Sequence, residues 1–168
     1  MISPAHAQTM ARYNRWMNER LYALCATLSD EARKRDAGAF FGSIHGTLNH
    51  ILLGDRIWLG RFLGRPFSVK SMDQELYSDF AELRVEREIS DREIVAWADS
   101  LTPEHLGDPL TYVSVINPAT SSYPRWVVVV HFFNHQTHHR GQLTTLLSQL
   151  GLDPGVTDLI RLPDLAAI

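Results

Sequence analysis

Through the first 28 residues, Met10, Tyr13, Met17, Leu21, Leu24 and Leu28 recur at intervals of three and four. That spacing brings a side chain back to one side of an α-helix every turn, whereas a strand repeats every second residue. It predicts a helix from about Ala5 to Leu28 with a single apolar face. The stretch SDEARKRDAGAFFG, polar and carrying two glycines, then breaks the pattern. Ser43 is a suitable cap for a second helix, Ile44 to Leu63, although Gly46, Gly54 and Gly60 interrupt it. GRPFSVKSMDQELY contains Pro66 and reads as a loop. A third helix is expected from Ser78 or Asp79 to a point before Pro103. Its apolar members are Leu83, Ile94, Trp97 and Leu101, and its outer face is heavily charged.

The periodicity then changes. LTYVSV and the approach to YPRW are rich in β-formers and flank the turn-forming NPATSS, which predicts a short hairpin. Pro124 falls in the first turn of a fourth long helix, where its missing N–H costs nothing. Gly151 marks the far end as a C′ residue. That helix is about 27 residues, or roughly 40 Å, long. LDPGVTDLIRLPDLAAI follows as a tail with one short helical turn. Four long helices with short connections and one longer crossover describe an all-α four-helix bundle, with a short β-hairpin between helices three and four. A chain of 168 residues supports one sizeable core, so a single domain over residues 1–168 is expected.

Composition narrows the function classes. Lys and Arg number 16 against 19 Asp and Glu, a net charge of −3, so no basic excess favours nucleic acid. Fourteen of the 16 basic residues are Arg, but they are scattered rather than clustered. No apolar run is long enough for a transmembrane helix, and MISPAHAQTMARYNRW lacks a secretory apolar core. The expectation is a cytoplasmic protein with neither nucleic acid nor a membrane as partner. The one cysteine, Cys25, lies on the apolar face of the first helix with Leu21, Leu24 and Leu28, which marks a core residue rather than a nucleophile.

The chemistry sits in HFFNHQTHHRGQL, where four of the eight histidines fall within nine residues. The apolar stripe of the fourth helix runs through Val128, Phe132, Leu143, Leu146, Leu147 and Leu150, and His135 and His139 lie on it. Four residues rotate a side chain by about 40° and raise it about 6 Å, so two such imidazoles reach one ion. His135-Gln136-Thr137-His138-His139 has no glutamate to serve as a protease base, which argues against a zinc protease of that type. His131 stands one turn earlier at the edge of the face, as a third ligand or a partner behind the ligands. His138 turns about 100° from His139, toward solvent. Gln142, three residues after His139, is placed to line a pocket or orient a ligand.

A catalytic metal takes three protein ligands and keeps a position open. The second helix offers His45 and His50, about 140° apart, so a straight helix admits only one of them to the site. His50 shares the more apolar face with Thr47, Leu53, Gly54 and Ile57, and Gly54, one turn on, leaves space beside it. His6 and His105 stand near helix ends with no identifiable partner. Neutral core histidines, each hydrogen-bonded to a neighbour, also satisfy this pattern.

The segment NHQTHHRGQL, Asn134 to Leu143, resembles the signature of the DinB family, the DinB/YfiT-like metalloenzymes. YNRWMNERLY, Tyr13 to Tyr22, resembles that family's first helix, and SIHGTLNHILLGDRIWLGRF, Ser43 to Phe62, its second. The terminal GLDPGVTDL is similar too. The resemblance implies a four-helix bundle that is often a homodimer. It implies a divalent metal, usually nickel or zinc, held by one histidine of the second helix and the HxxxH of the fourth: His50, His135 and His139 here. Some relatives are metal-dependent thiol transferases or isomerases that use low-molecular-weight thiols.

The leading expectation is therefore a metal-dependent thiol S-transferase or hydrolase-like enzyme acting on a small molecule. The alternatives are a non-enzymatic metal-binding or stress-response protein with the same three-histidine site, and a bundle whose histidines only pack. Gln142, Tyr13, Trp16 and Asn14 are candidates for lining the pocket, although core packing, capping or exposure suits each of them as well.

Overall fold

The computed structural model describes residues 1–114, 119–163 and 165. Among them the chain forms α1 (Pro4–Cys25), α2 (Asp30–Lys34), α3 (Ile44–Phe62), α4 (Phe80–Asp99) and α5 (Pro103–Gly107). A hairpin of β1 (Pro109–Val113) and β2 (Thr120–Pro124) leads into α6 (Arg125–Gln149), and a 3-10 turn follows at Leu159–Arg161. The four long helices carry the fold: α1 packs on α4 and α6, and α3 packs on the same two, which closes a cycle. No described helix is long and apolar enough to cross a membrane.

Side-chain caps set where the helices start. Ser3, Ser43 and Asp79 each accept a hydrogen bond from the backbone N–H three residues on, at 3.2, 3.0 and 2.9 Å. At the end of α6, Gly151 takes φ 77, which a side chain with a Cβ resists. Its N–H reaches Ser148, at 2.9 Å, and that of Leu152 reaches Leu147, at 3.1 Å, which satisfies the last carbonyls.

Several details differ from the sequence-based expectation. The first helix stops at Cys25, not Leu28, and the polar segment after it contains a helical turn, α2. Ser29 caps that turn, acidic residues open it and basic ones close it, each sign suiting its end of the helix dipole. The buried Arg33 donates to the Cys25 carbonyl at 3.1 Å and to that of Leu28, closing the end of α1. A second unexpected turn, α5, begins at Pro103 behind the Thr102 cap. A hairpin forms ahead of the fourth long helix as expected, with Pro109 opposite Pro124 and Val113 opposite Thr120, but its second strand begins earlier: Thr120, Ser121 and Ser122, expected in the turn, pair with β1. Val115 of the first strand segment and Asn117 and Pro118 of the expected turn lie outside the described residues. Pro124 ends β2 and caps α6 instead of standing inside its first turn, so α6 has 25 residues rather than about 27.

Two apolar clusters fill the interior. One gathers Ala7, Ala11, Leu59, Phe62, Ile94, Trp97, Phe132 and Phe133. The other gathers Met17, Leu21, Leu48, Leu52, Leu83, Leu143 and Leu147. Cys25 is fully buried in the second, as expected, and burial pushes its thiol up to about 12. Along α3, α4 and α6, buried polar residues stand between the two clusters, namely Asp55, Arg87 and Asp91, and Gln136 and Arg140, and the buried Asn14 and Asn18 of α1 meet them.

These residues pair with one another across the helices, although Arg87 Nε and Gln136 Oε1 are buried without a hydrogen-bond partner among the described residues. Arg87 Nη1 donates to Asp55 Oδ2 at 2.5 Å, and Nη2 lies 3.0 Å from Asp91 Oδ1, close enough to pair as charges but not aligned as a hydrogen bond. Gln136 donates to Asp55 at 2.8 Å, Asn18 to Asp91 at 2.9 Å, and Arg140 to Asn14. Burial raises the carboxyls of Asp55 and Asp91, the latter to about 6, against the lowering pull of Arg87. The charges balance, with two Asp against two Arg, as a buried ionic layer requires.

Candidate metal centre

The packing of α3 on α6 brings His50 against His135 and His139. One ring nitrogen from each lies within 4.8 Å of the other two. The Nε2 atoms of His50 and His135 are 3.3 Å apart. Imidazole nitrogens bound at 2.0–2.1 Å to a tetrahedral ion are separated by about 3.3 Å, so the pair already has the spacing such an ion needs. The glycine one turn after His50 makes this approach possible. A Cβ on Gly54 would stand 2.8 Å from Cε1 of His135, so the space foreseen beside His50 is filled by the His135 ring.

Partners behind the rings orient two of the three. His50 Nδ1 is 2.9 Å from the Met72 carbonyl, which fixes the proton on Nδ1 and leaves the Nε2 lone pair facing His135. His139 Nδ1 is 2.7 Å from Gln142 Oε1, so of the roles open to Gln142 it takes that of orienting the ring. His135 Nδ1 is buried without a partner among the described residues. The loop that carries Met72 is itself pinned. Asn49 Oδ1 accepts the Leu76 and Tyr77 N–H groups at 2.8 and 3.0 Å, and Asn49 Nδ2 donates to the Tyr77 carbonyl at 3.1 Å. His45 Nε2 lies 2.9 Å from the same carbonyl, which gives that histidine a role away from the cluster, on the other side of α3. Phe41 stacks on His50 with centroids 3.7 Å apart and presents its edge to His139 at 5.4 Å.

Burial, more than any neighbouring charge, lowers the pKa of all three imidazoles: His50 to about 4, His135 to about 3, and His139 in the same direction. Each is therefore neutral at pH 7 with a lone pair available, the state a metal requires of its ligands. The donor set, its spacing and its protonation fit a divalent ion, and three neutral nitrogens suit nickel or zinc better than magnesium or calcium.

His135 also forms part of a cavity wall. The cavity, about 260 Å³, is lined by Gly54, Ile57, Trp58, Arg61, Met72, Tyr112, Ser114, His131 and His135. A second chamber of about 250 Å³ shares Trp58, Tyr112 and His131 with it and extends to Tyr123, Val127 and Val128. His131 thus stands outside the three-histidine group, packed edge-on to Trp58 at 5.1 Å. His138 is exposed, as are His6 and His105. Three further pocket candidates have other roles. The Tyr13 hydroxyl donates to the Thr157 carbonyl, Asn14 belongs to the buried polar layer, and Trp16 packs under the Arg20 guanidinium at 4.6 Å.

Sequence reading missed Phe41, Met72, Trp58, Arg61 and Tyr112 around the site. Met72 meets His50 through its backbone carbonyl, which no side-chain pattern reveals. Trp58 and Arg61 were legible in principle, being four and seven residues beyond Gly54 on the same face of α3.

Comparison with known proteins agrees with this architecture. A family model described as the DinB family matches residues 1–168. The protein called Protein DinB from Bacillus subtilis (strain 168) is 27% identical over 155 residues, covering 87% of each chain. The crystal structure of a DinB-like protein from Bacillus cereus superposes with a TM-score of 0.58 at 20% identity, over 83% of this chain and 90% of that one. That structure supports the fold.

Proposed function

The chain belongs to the DinB family, and from that premise we propose that it holds a divalent ion, nickel or zinc, on His50, His135 and His139 and acts as a metal-dependent enzyme on a small molecule. The observation that carries this reading is the 3.3 Å approach of two neutral imidazole nitrogens, with a third at hand, beside a cavity. Three neutral ligands leave an ion's charge uncompensated, so it would supply Lewis acidity that lowers the pKa of a thiol or water at a free position. A thiol S-transferase is the reaction type we favour, because a thiolate formed at neutral pH is already a strong nucleophile. The residues of this chain hold and orient: Met72 and Gln142 fix two rings, Phe41 covers one side, and the cavity beside His135 takes the substrate. The same reading makes the protein a cytoplasmic homodimer.

The test is metal content by plasma mass spectrometry on protein purified without a nickel column. The expected result is about one divalent ion per chain, lost in His135→Ala and kept in His45→Ala. Turnover of a thiol with monobromobimane by the loaded protein, absent in His135→Ala, tests the reaction type. No metal in any preparation, and no uptake of added zinc or nickel, would end the proposal.

A further inference from the structure

The cavity beside His135 has a strongly asymmetric chemistry. Its walls are apolar and aromatic, and no carboxylate is among the described residues that line either chamber. Its one formal charge among side chains that stay charged at neutral pH is Arg61. That guanidinium lies over the rings of both Trp58 and Tyr112, 4.4 and 4.2 Å from their centroids. It forms no ion pair with a described carboxylate, and its one hydrogen bond among the described residues is a long contact of Nη2 to the Val113 carbonyl at 3.4 Å. A guanidinium has five N–H donors. Among the described residues most of them meet no acceptor, on a half-buried side chain that two rings hold in place.

Position reinforces the point. Gly54, Trp58 and Arg61 follow one face of α3, a rise of about 10 Å from the level of His135. Helical side chains lean toward the N-terminus, so Arg61 reaches back along that face toward the histidines. A cation fixed by aromatic stacking, in an apolar trough, is an arrangement that recognises the anionic end of an amphipathic small molecule.

We propose that Arg61 is the recognition residue for the carboxylate of a small organic acid whose apolar body lies along Trp58 and Tyr112, in the cavity that opens onto His135. Only the direction in which the acid points, with its far end toward the histidines, rests on the reading of that cluster as the metal centre. A single guanidinium between apolar walls suits a monoanionic carboxylate. A phosphate dianion would carry a second negative charge that no further cation among the described lining residues offsets.

The test uses benzoate and its neutral isostere benzamide as probes, read from the Trp58 indole resonance in proton–nitrogen spectra of the full chain. Both are titrated into metal-free and zinc-loaded protein, because a carboxylate can also bind an ion directly. Metal-free wild type should bind benzoate at least roughly tenfold tighter than benzamide, the scale of one charge-assisted contact. Arg61→Gln keeps a donor for the Val113 carbonyl but removes the charge. It should bind both probes at the benzamide level while its melting temperature and zinc stoichiometry stay those of wild type. Arg61→Lys should recover part of the preference, which a merely structural role for Arg61 does not predict. A benzoate preference that survives in Arg61→Gln would overturn the assignment. So would a preference seen only with zinc present, since the ion would then be reading the carboxylate. Failure of the protein to take up zinc counts against the metal reading alone, because the metal-free titration still decides the role of Arg61.

Discussion

Gly54→Ala separates the site from the fold. The added Cβ would stand 2.8 Å from His135 Cε1 and 3.3 Å from Nδ1. Carbon atoms settle at about 3.5 Å or more, so the ring must give by about 0.7 Å. A ligand ring meets a metal within about 0.2 Å of its preferred distance, which makes the displacement several times the tolerance. His135 is half-buried and borders the cavity, so its ring can swing that way without forcing α3 from α6. The fold meanwhile gains about 0.8–1 kcal/mol from replacing a mid-helix glycine by alanine, which offsets much of the crowding. Metal-free Gly54→Ala should therefore stay within about 1 kcal/mol of wild type in urea unfolding. Its zinc affinity, measured by competition with a chromophoric chelator, should fall roughly 10- to 100-fold, as it does when the support of a ligand is lost. Zinc affinity within twofold of wild type would refute the reasoning, because the ring would then not be held where the ion needs it. Collapse of the fold would refute the part that lets the ring yield.

Arg87→Met keeps the length of the side chain and removes the cation that Asp55 and Asp91 share. Stranding two buried carboxylates should cost about 3–5 kcal/mol in urea unfolding, and a loss below about 1 kcal/mol would mean that the layer is not ionic. The pH dependence has a definite sign. The folded pKa of His135, about 3, lies below the ordinary value of 6.5, so the folded state binds fewer protons than the unfolded one. That contribution to stability is complete above pH 6.5 and is lost as pH falls toward 3. Metal-free wild type should therefore lose more stability between pH 7.5 and 5 than His135→Gln, which cannot titrate, and equal losses would contradict the burial of that ring.

The histidine cluster was legible because its parts obey helix geometry. His135 and His139 share a stripe by their spacing of four; rotation admits only one of His45 and His50, and the more apolar face shared with Thr47, Leu53, Gly54 and Ile57 selected His50. The three rings do converge, and His45 points elsewhere, to Tyr77. The short helices α2 and α5 were harder to read, since a single turn has no periodicity and rests on one cap, Ser29 or Thr102. The polar layer was hidden for a different reason. Leu83, Arg87, Ser90, Asp91, Ile94 and Trp97 form one buried stripe of α4. Charges at positions 87 and 91 read as an exposed face, because a lone charge is almost never buried. What makes them inside residues is Asp55 on α3 and Asn14 and Asn18 on α1, and pairing across helices cannot be seen in any one segment.

The layer and the cluster depend on the same alignment of helices. Asp55 follows Gly54 directly, Gln136 follows His135 and Arg140 follows His139. On α6, adjacent residues thus present one side chain to the histidine site and the next to the buried polar layer, and on α3 Gly54 admits the His135 ring while Asp55 enters the layer. Apolar contacts tolerate sliding, since one Leu packs on another at several offsets. Sliding α6 by one turn, about 5.4 Å, would take Gln136 from Asp55 and Arg140 from Asn14, leaving each unpaired in the interior. The same slide would carry His135 past His50. The buried polar contacts therefore fix, to within a fraction of a turn, the register in which two imidazole nitrogens stand 3.3 Å apart.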